Sequence, residues 1–144
     1  MNIFDALRGE HALLRLLLAV TGREIHSWLG NSLRPPLTLL EHSLCSHAAL
    51  EDELLFDQLS STHAGLTTAL ASMSSEHRLI RERISLLAES PKPAFAARYA
   101  ELCELVLDHF EVEERVLFPL AAESISEAQL LWLGREWSRR RGVV

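Results

Sequence analysis

What most constrains this chain is a set of apolar stripes at the helical period, each interrupted near its middle by a histidine. On a helix, residues i, i+3, i+4 and i+7 share one face, whereas a strand alternates at every second position. The helical period fits four stretches. They are Phe4, Leu7, His11, Leu14, Leu18 and Ile25; then Leu37, Leu40, Leu44, His47, Glu51, Leu54 and Gln58. The third is Leu66, Leu70, Met73, His77, Ile80, Ile84 and Leu87, and the fourth Phe95, Tyr99, Leu102, Val106, His109, Glu113, Val116 and Leu120. Gly30-Asn31 with Pro35-Pro36, the run Ser60-Ser61-Thr62, and Pro91-Lys92-Pro93 separate them, as breakers do. A shorter apolar piece at about 125–138 follows, ending in Arg139-Arg140-Arg141. Four helices of roughly 22 to 28 residues with short connections predict an all-α, up-down-up-down four-helix bundle with a short C-terminal fifth helix. We expect a single domain over 1–144, the bundle occupying about 3–120.

Composition narrows the function classes. Apolar residues make up 48% and charged residues 24%, so the chain can bury a core. The net charge of −6 argues against nucleic acid as a partner. The longest apolar run, Ala12 to Val20, is short and contains Arg15, so no membrane span is expected. Cys45 and Cys103 each lack a nearby second cysteine and read as small, partly buried residues of a reducing compartment. With Asp5, Arg8 and Glu10 preceding any apolar run, a cytoplasmic protein is expected.

Seven histidines are many for 144 residues, and four of them fall on core-facing stripes. Two stripes also carry a glutamate. A buried carboxylate costs several kcal/mol, on the order quoted for buried ions, unless it is paired or bound to metal. The second and fourth helices align by their histidines, His47-Ala-Ala-Leu-Glu51-Asp-Glu-Leu-Leu-Phe56 against His109-Phe-Glu-Val-Glu113-Glu-Arg-Val-Leu-Phe118. The shared pattern is H-x3-E-[DE]-x-[LV]-L-F. The first and third helices share the dipeptides Glu10-His11 and Glu76-His77. The chain thus reads as a helical hairpin used twice. Residues i and i+4 on a helix stand close enough for both side chains to reach one metal or two adjacent ones. Imidazole mixed with carboxylate suits iron, manganese or zinc.

In these six positions the chain resembles the hemerythrin-like, or HHE cation-binding, family. That family has a histidine on helix one, H-x3-E on helix two, a histidine on helix three and H-x3-E on helix four. The matching residues are His11, His47, Glu51, His77, His109 and Glu113. The resemblance implies two non-haem irons, bridged by Glu51 and Glu113, with an open position for oxygen or a related small molecule. Two features depart from the oxygen carriers of the family. They place a second histidine one turn after the helix-three histidine, where this chain has Arg81, and their fourth-helix carboxylate stands at His+5, not His+4. The expected function is therefore binding or sensing of oxygen, nitric oxide or peroxide. The alternatives are a di-iron oxidoreductase acting on peroxide or nitric oxide, and a structural bundle with an adventitious zinc site.

The remaining polar residues carry blander expectations. Glu10 and Glu76 read as solvated acids, with support of the site as the alternative. Asp52, Glu53 and Glu114 read as facing solvent or flanking the site, the alternative being that Asp52 or Glu114, directly after a ligand glutamate, adds to the metal coordination. His26, His42 and His63 lie off the stripes. Arg81 reads as a surface ion pair with Glu82 or its neighbours, the alternative being a cation lining the site. Tyr99 reads as a core residue. The segment Leu130-Leu131-Trp132-Leu133 with Trp137 caps the bundle end or forms a homodimer contact, and the arginine triplet is a solvated tail.

Overall fold

The computed structural model describes residues 1–26, 34–62 and 66–143, and every regular element among them is helical. Seven helical segments are α1 (Ile3–His26), α2 (Arg34–Glu51), α3 (Asp57–Thr62), α4 (Thr67–Ala88), α5 (Lys92–Val112), α6 (Phe118–Ser124) and α7 (Glu127–Arg141). The Gly30-Asn31 turn, His63 and the side chain of His26 lie outside the described residues. Where the sequence expects a turn at Ser60-Ser61-Thr62, helix continues to Thr62. At the prolines the break comes as expected: Pro91 is extended (φ −65°, ψ 145°) and α5 starts behind it.

α1 packs against α2, α5 and α7, α2 against α4, and α4 against α5, so four long helices close a ring. Inside, the apolar side chains form two clusters. One contains Phe4, Leu7, Leu54, Met73 and Leu117; the other contains Leu14, Leu44, Ile80, Val106 and Phe110. The layer of His11, His47, His77 and His109 lies in sequence between members of the two, so the core is divided by a polar floor. The C-terminal segment begins on a capping box at Ser126, which exchanges hydrogen bonds with Gln129. It buries Leu130 and Leu133 in the first cluster, with Trp137 packed partly against it. The helix runs on through the arginine triplet to Gly142, whose left-handed backbone (φ 66°) ends it.

Two single π turns interrupt the ring helices: Asp52–Phe56 joins α2 to α3, and Glu113–Leu117 joins α5 to α6. In each the backbone bond spans five residues, Asp57 N–H to Asp52 O and Phe118 N–H to Glu113 O. The extra residue advances the buried face by one position. Uninterrupted periodicity puts Gln58, Val116 and Leu120 on the core face, but all three are exposed and Leu59, Leu117 and Ala121 are buried instead. The register of this shift is measurable. Leu117 is 2% exposed and Val116 52%. Urea unfolding of the metal-free chain should show a loss of about 2–4 kcal/mol for Leu117→Ala and a change within about 0.5 kcal/mol for Val116→Ala. The reverse order would restore an uninterrupted α-helix.

Candidate metal centre

The polar floor is built from one histidine per long helix and two glutamates one turn later, Glu51 at the end of α2 and Glu113 at the start of the π turn that follows α5. His11, His47, Glu51, His77, His109 and Glu113 are each no more than 2% exposed. They form two overlapping groups, His11-His47-Glu51-Glu113 and Glu51-His77-His109-Glu113, whose donor atoms lie within 4.8 Å of one another. Glu51 and Glu113 belong to both. His11 Nε2 stands 3.1 Å from His47 Nε2 and 3.3 Å from Glu113 Oε2. His47 Nε2 is 3.3 Å and His77 Nε2 3.5 Å from Glu51 Oε2. His109 Nε2 is 3.3 Å from Glu113 Oε1.

These spacings fit a cation better than a hydrogen-bonded core. Donors held about 2.1 Å from a common ion stand about 3–4 Å apart. Both oxygens of Glu51, both of Glu113, and the Nε2 atoms of His77 and His109 are buried without a hydrogen-bond partner. So many orphaned polar atoms in one place are rare in folded proteins unless something else satisfies them. Each group could therefore hold one metal ion, with the two carboxylates shared.

A family model described as the hemerythrin HHE cation-binding domain matches residues 2–121. The chain belongs to that family. A protein of Nostoc sp. (strain PCC 7120 / SAG 25.82 / UTEX 2576) named DNA nickase is 27% identical over an alignment of 135 residues that covers 90% of this chain. The chain spans only 36% of that relative's length. No solved structure matches it.

In this HHE bundle the outward nitrogen of each of the four cluster histidines is also held. His47 Nδ1 meets Glu10 at 2.7 Å, His77 Nδ1 meets Asp52 at 2.9 Å, His109 Nδ1 meets Glu76 at 2.8 Å, and His11 Nδ1 meets Glu114 at 2.8 Å. An ionised carboxylate only accepts, so each Nδ1 carries the donated proton and each Nε2 faces inward. The contacts run round the bundle in one direction: α1 holds the histidine of α2, the π turn after α2 that of α4, α4 that of α5, and the π turn after α5 that of α1. Three acids are backed by arginine, Glu114 by Arg15 at 2.8 Å, Asp52 by Arg81 at 2.9 Å, and Glu10 by Arg141 at 2.6 Å. Aromatic walls complete the repeat. Phe56 stacks on His77 with centroids 5.4 Å apart, while Phe118 and Phe110 stack on His11 at 5.9 and 4.0 Å.

Several sequence expectations change here. Glu10, Asp52, Glu76 and Glu114 are not merely solvated; each fixes a histidine. The signal lay in the two Glu-His dipeptides and in the acid directly after each buried glutamate, because these neighbours point toward the adjoining helix. Arg81 neither pairs with Glu82 nor lines the cluster, but grips Asp52 from outside. Glu53 is exposed and paired with Arg140. His42 is exposed and outside both groups. Tyr99 is a core residue whose hydroxyl donates to the Leu18 carbonyl at 2.6 Å.

The electrostatics follow from the geometry. Burial opposes a charge on His77, yet its contacts with Asp52 and Glu51 prevail and lift its pKa to about 9. Against burial, Glu51 and Glu10 raise His47, and Glu113 and Glu76 raise His109. Glu113 moves well below the carboxylate range because His109 and His11 outweigh its burial. Glu10, Asp52 and Glu114 are lowered too, against burial, by their histidine and arginine partners. A cation must displace the protons these raised histidines hold. Zinc uptake by the metal-free chain should thus release protons at neutral pH, and its apparent affinity should weaken as pH falls below about 9, which a pH-indicator titration checks. Glu114→Gln should weaken metal binding about 10–100-fold, whereas Glu111→Gln, on the exposed side of the same helix, should leave it unchanged in the same competition assay.

Proposed function

We propose that this chain is a non-haem di-iron protein that binds or senses oxygen, nitric oxide or peroxide. The observation that carries the reading is that Glu51 and Glu113 belong to both four-residue groups. In this reading His11 and His47 would hold one iron and His77 and His109 the other, with Glu51 and Glu113 available to both. Membership of a cation-binding family supports a metal, and mixed imidazole and carboxylate donors suit iron, with manganese or zinc as competitors. The supporting bundle runs up-down-up-down: α1 and α4 pass from the first apolar cluster to the second, while α2, and α5 with its continuation into α6, pass from the second to the first.

Bound there, a pair of irons supplies two electrons to a small oxidant. The chain's own residues do the rest. Four carboxylates keep the Nδ1 protons in place and the Nε2 lone pairs inward. The clusters above and below, with Phe56, Phe110 and Phe118, keep the six donor residues no more than 2% exposed and so hold bulk water off a small bound molecule. Two imidazoles and two shared carboxylates per ion leave room for such a ligand, which also favours a second reading, an oxidoreductase acting on peroxide or nitric oxide. DNA nicking is not carried over from the Nostoc relative: the shared segment is 36% of that protein, and a net charge of −6 repels phosphate. Among the described residues no helix is long and apolar enough to cross a membrane.

Metal analysis with a visible spectrum decides between these readings. Chain purified in iron-supplemented medium should carry about two irons, bleach on reduction and recover on exposure to oxygen. Glu51→Ala combined with Glu113→Ala should lose both irons, and a variant that keeps both refutes the bridging assignment. Steady consumption of peroxide, in place of reversible colour, would move the assignment to the enzyme.

A further inference from the structure

The outer ring of acids is symmetric except at one place. Arg15 and Arg81 occupy equivalent positions, four residues after His11 and His77, and back the acids Glu114 and Asp52. Glu10 and Glu76 are equivalent as well, each preceding a histidine on its own helix and holding the histidine of the next. Yet Glu10 is backed by Arg141, and among the described residues no arginine or lysine pairs with Glu76. The extra cation comes from α7, outside the duplicated hairpins.

The route from α7 to the cluster is rigid. At Gly134 the helix lies backbone to backbone on the start of the chain, where a Cβ would stand 2.5 Å from the Met1 carbonyl oxygen. From Gly134 to Arg141 the helix rises about 10 Å, close to the rise of about 12 Å from Asn2 to Glu10 along α1. The two helices therefore keep step, and Arg141 arrives beside Glu10. Its Nε donates to Glu10 Oε1 at 2.6 Å and a second nitrogen donates to the Ser46 hydroxyl of α2. Glu10 Oε2 accepts from His47 Nδ1 at 2.7 Å, and the other ring nitrogen of His47 faces Glu51. Glutamate has several freely turning side-chain bonds, so a two-sided grip fixes an orientation that it would otherwise share among rotamers. Arg141 is 22% exposed, dry enough for such a contact to hold. The triplet read from sequence as a solvated tail is thus partly inside the machinery.

We propose that Arg141 is a positioning residue: acting through Glu10 and His47, it couples the docked C-terminal helix to the His11–His47 half of the metal centre and makes the two halves inequivalent. This rests on the two-metal reading above. Zinc titration of the metal-free chain separates the claims, with the imidazole N–H signals of the zinc-loaded protein as a second readout. The wild type should take up two ions in two steps. Arg141→Gln should weaken one step about three- to tenfold, less than the loss typical of a direct partner of a ligand. It should also broaden the His47 N–H signal, assigned as the one lost in Glu10→Ala, and leave the other three. Arg141→Lys should restore part of the loss, and Arg139→Gln, whose partner Glu136 lies on α7 itself, should change neither step. Two unchanged steps with the His47 signal intact overturn the proposal. So does an equal loss in both steps with all four signals altered, which marks general loosening of α7. A wild-type chain that takes up two ions while Arg141→Gln behaves identically sinks this inference alone; one that takes up no metal sinks the two-metal reading with it.

Discussion

Two carboxylates, Glu51 and Glu113, lie fully buried in the middle of an apolar bundle, and the arrangement around them is understandable as compensation for that. An isolated buried carboxylate is penalised by several kcal/mol even after relaxation, a large fraction of the stability of an ordinary domain. Four imidazoles converge on the pair, each turned inward by a carboxylate on a neighbouring helix. Those outer acids are only partly buried, and three are neutralised by arginine. Charge therefore alternates outward from the centre: anionic glutamates, imidazoles, anionic acids, guanidinium groups. Removing any layer exposes the next to an unbalanced field.

The π turns belong to the same solution. The first begins right after Glu51 and the second at Glu113 itself, where the helix must do two things at once. It presents Glu51 or Glu113 inward and directs the next residue, Asp52 or Glu114, to the adjoining helix. The extra residue then lets Leu-Phe turn back to the core, so that Phe56 and Phe118 close over His77 and His11. The repeated H-x3-E-[DE]-x-[LV]-L-F pattern is thus a compact instruction in which nearly every fixed letter has a contact.

Much of this was legible in the sequence, because helical periodicity and buried charge are strong signals. The stripes through Leu70, Met73, His77, Ile80 and Ile84 are buried as periodicity predicts, and the six His and Glu residues that stand out on the stripes come together. What periodicity cannot register is a one-residue insertion inside a run such as Val116-Leu117-Phe118, where several registers are equally apolar. Nor can it distinguish a solvated acid from one reaching across to a neighbouring helix. Glu10 and Glu76 lie just off the core face, and their partners are far away in sequence. Arg141 was hidden for a related reason: three consecutive arginines read as a charged end until the path of α7 places one of them.

The outer ring has a consequence for handedness. Leucine-rich cores accept helices turned by tens of degrees or arranged around the bundle in the opposite sense, since one aliphatic surface packs nearly as well as another. Four imidazole–carboxylate contacts running α1 to α2 to α4 to α5 and back are chiral. An acid one residue from its own histidine leans to one side only, so a bundle with the helices circling the other way would aim Glu10 away from His47 and leave the circuit open. The polar contacts thereby select one of two mirror-related courses of the chain, a choice the hydrophobic pattern alone leaves nearly degenerate.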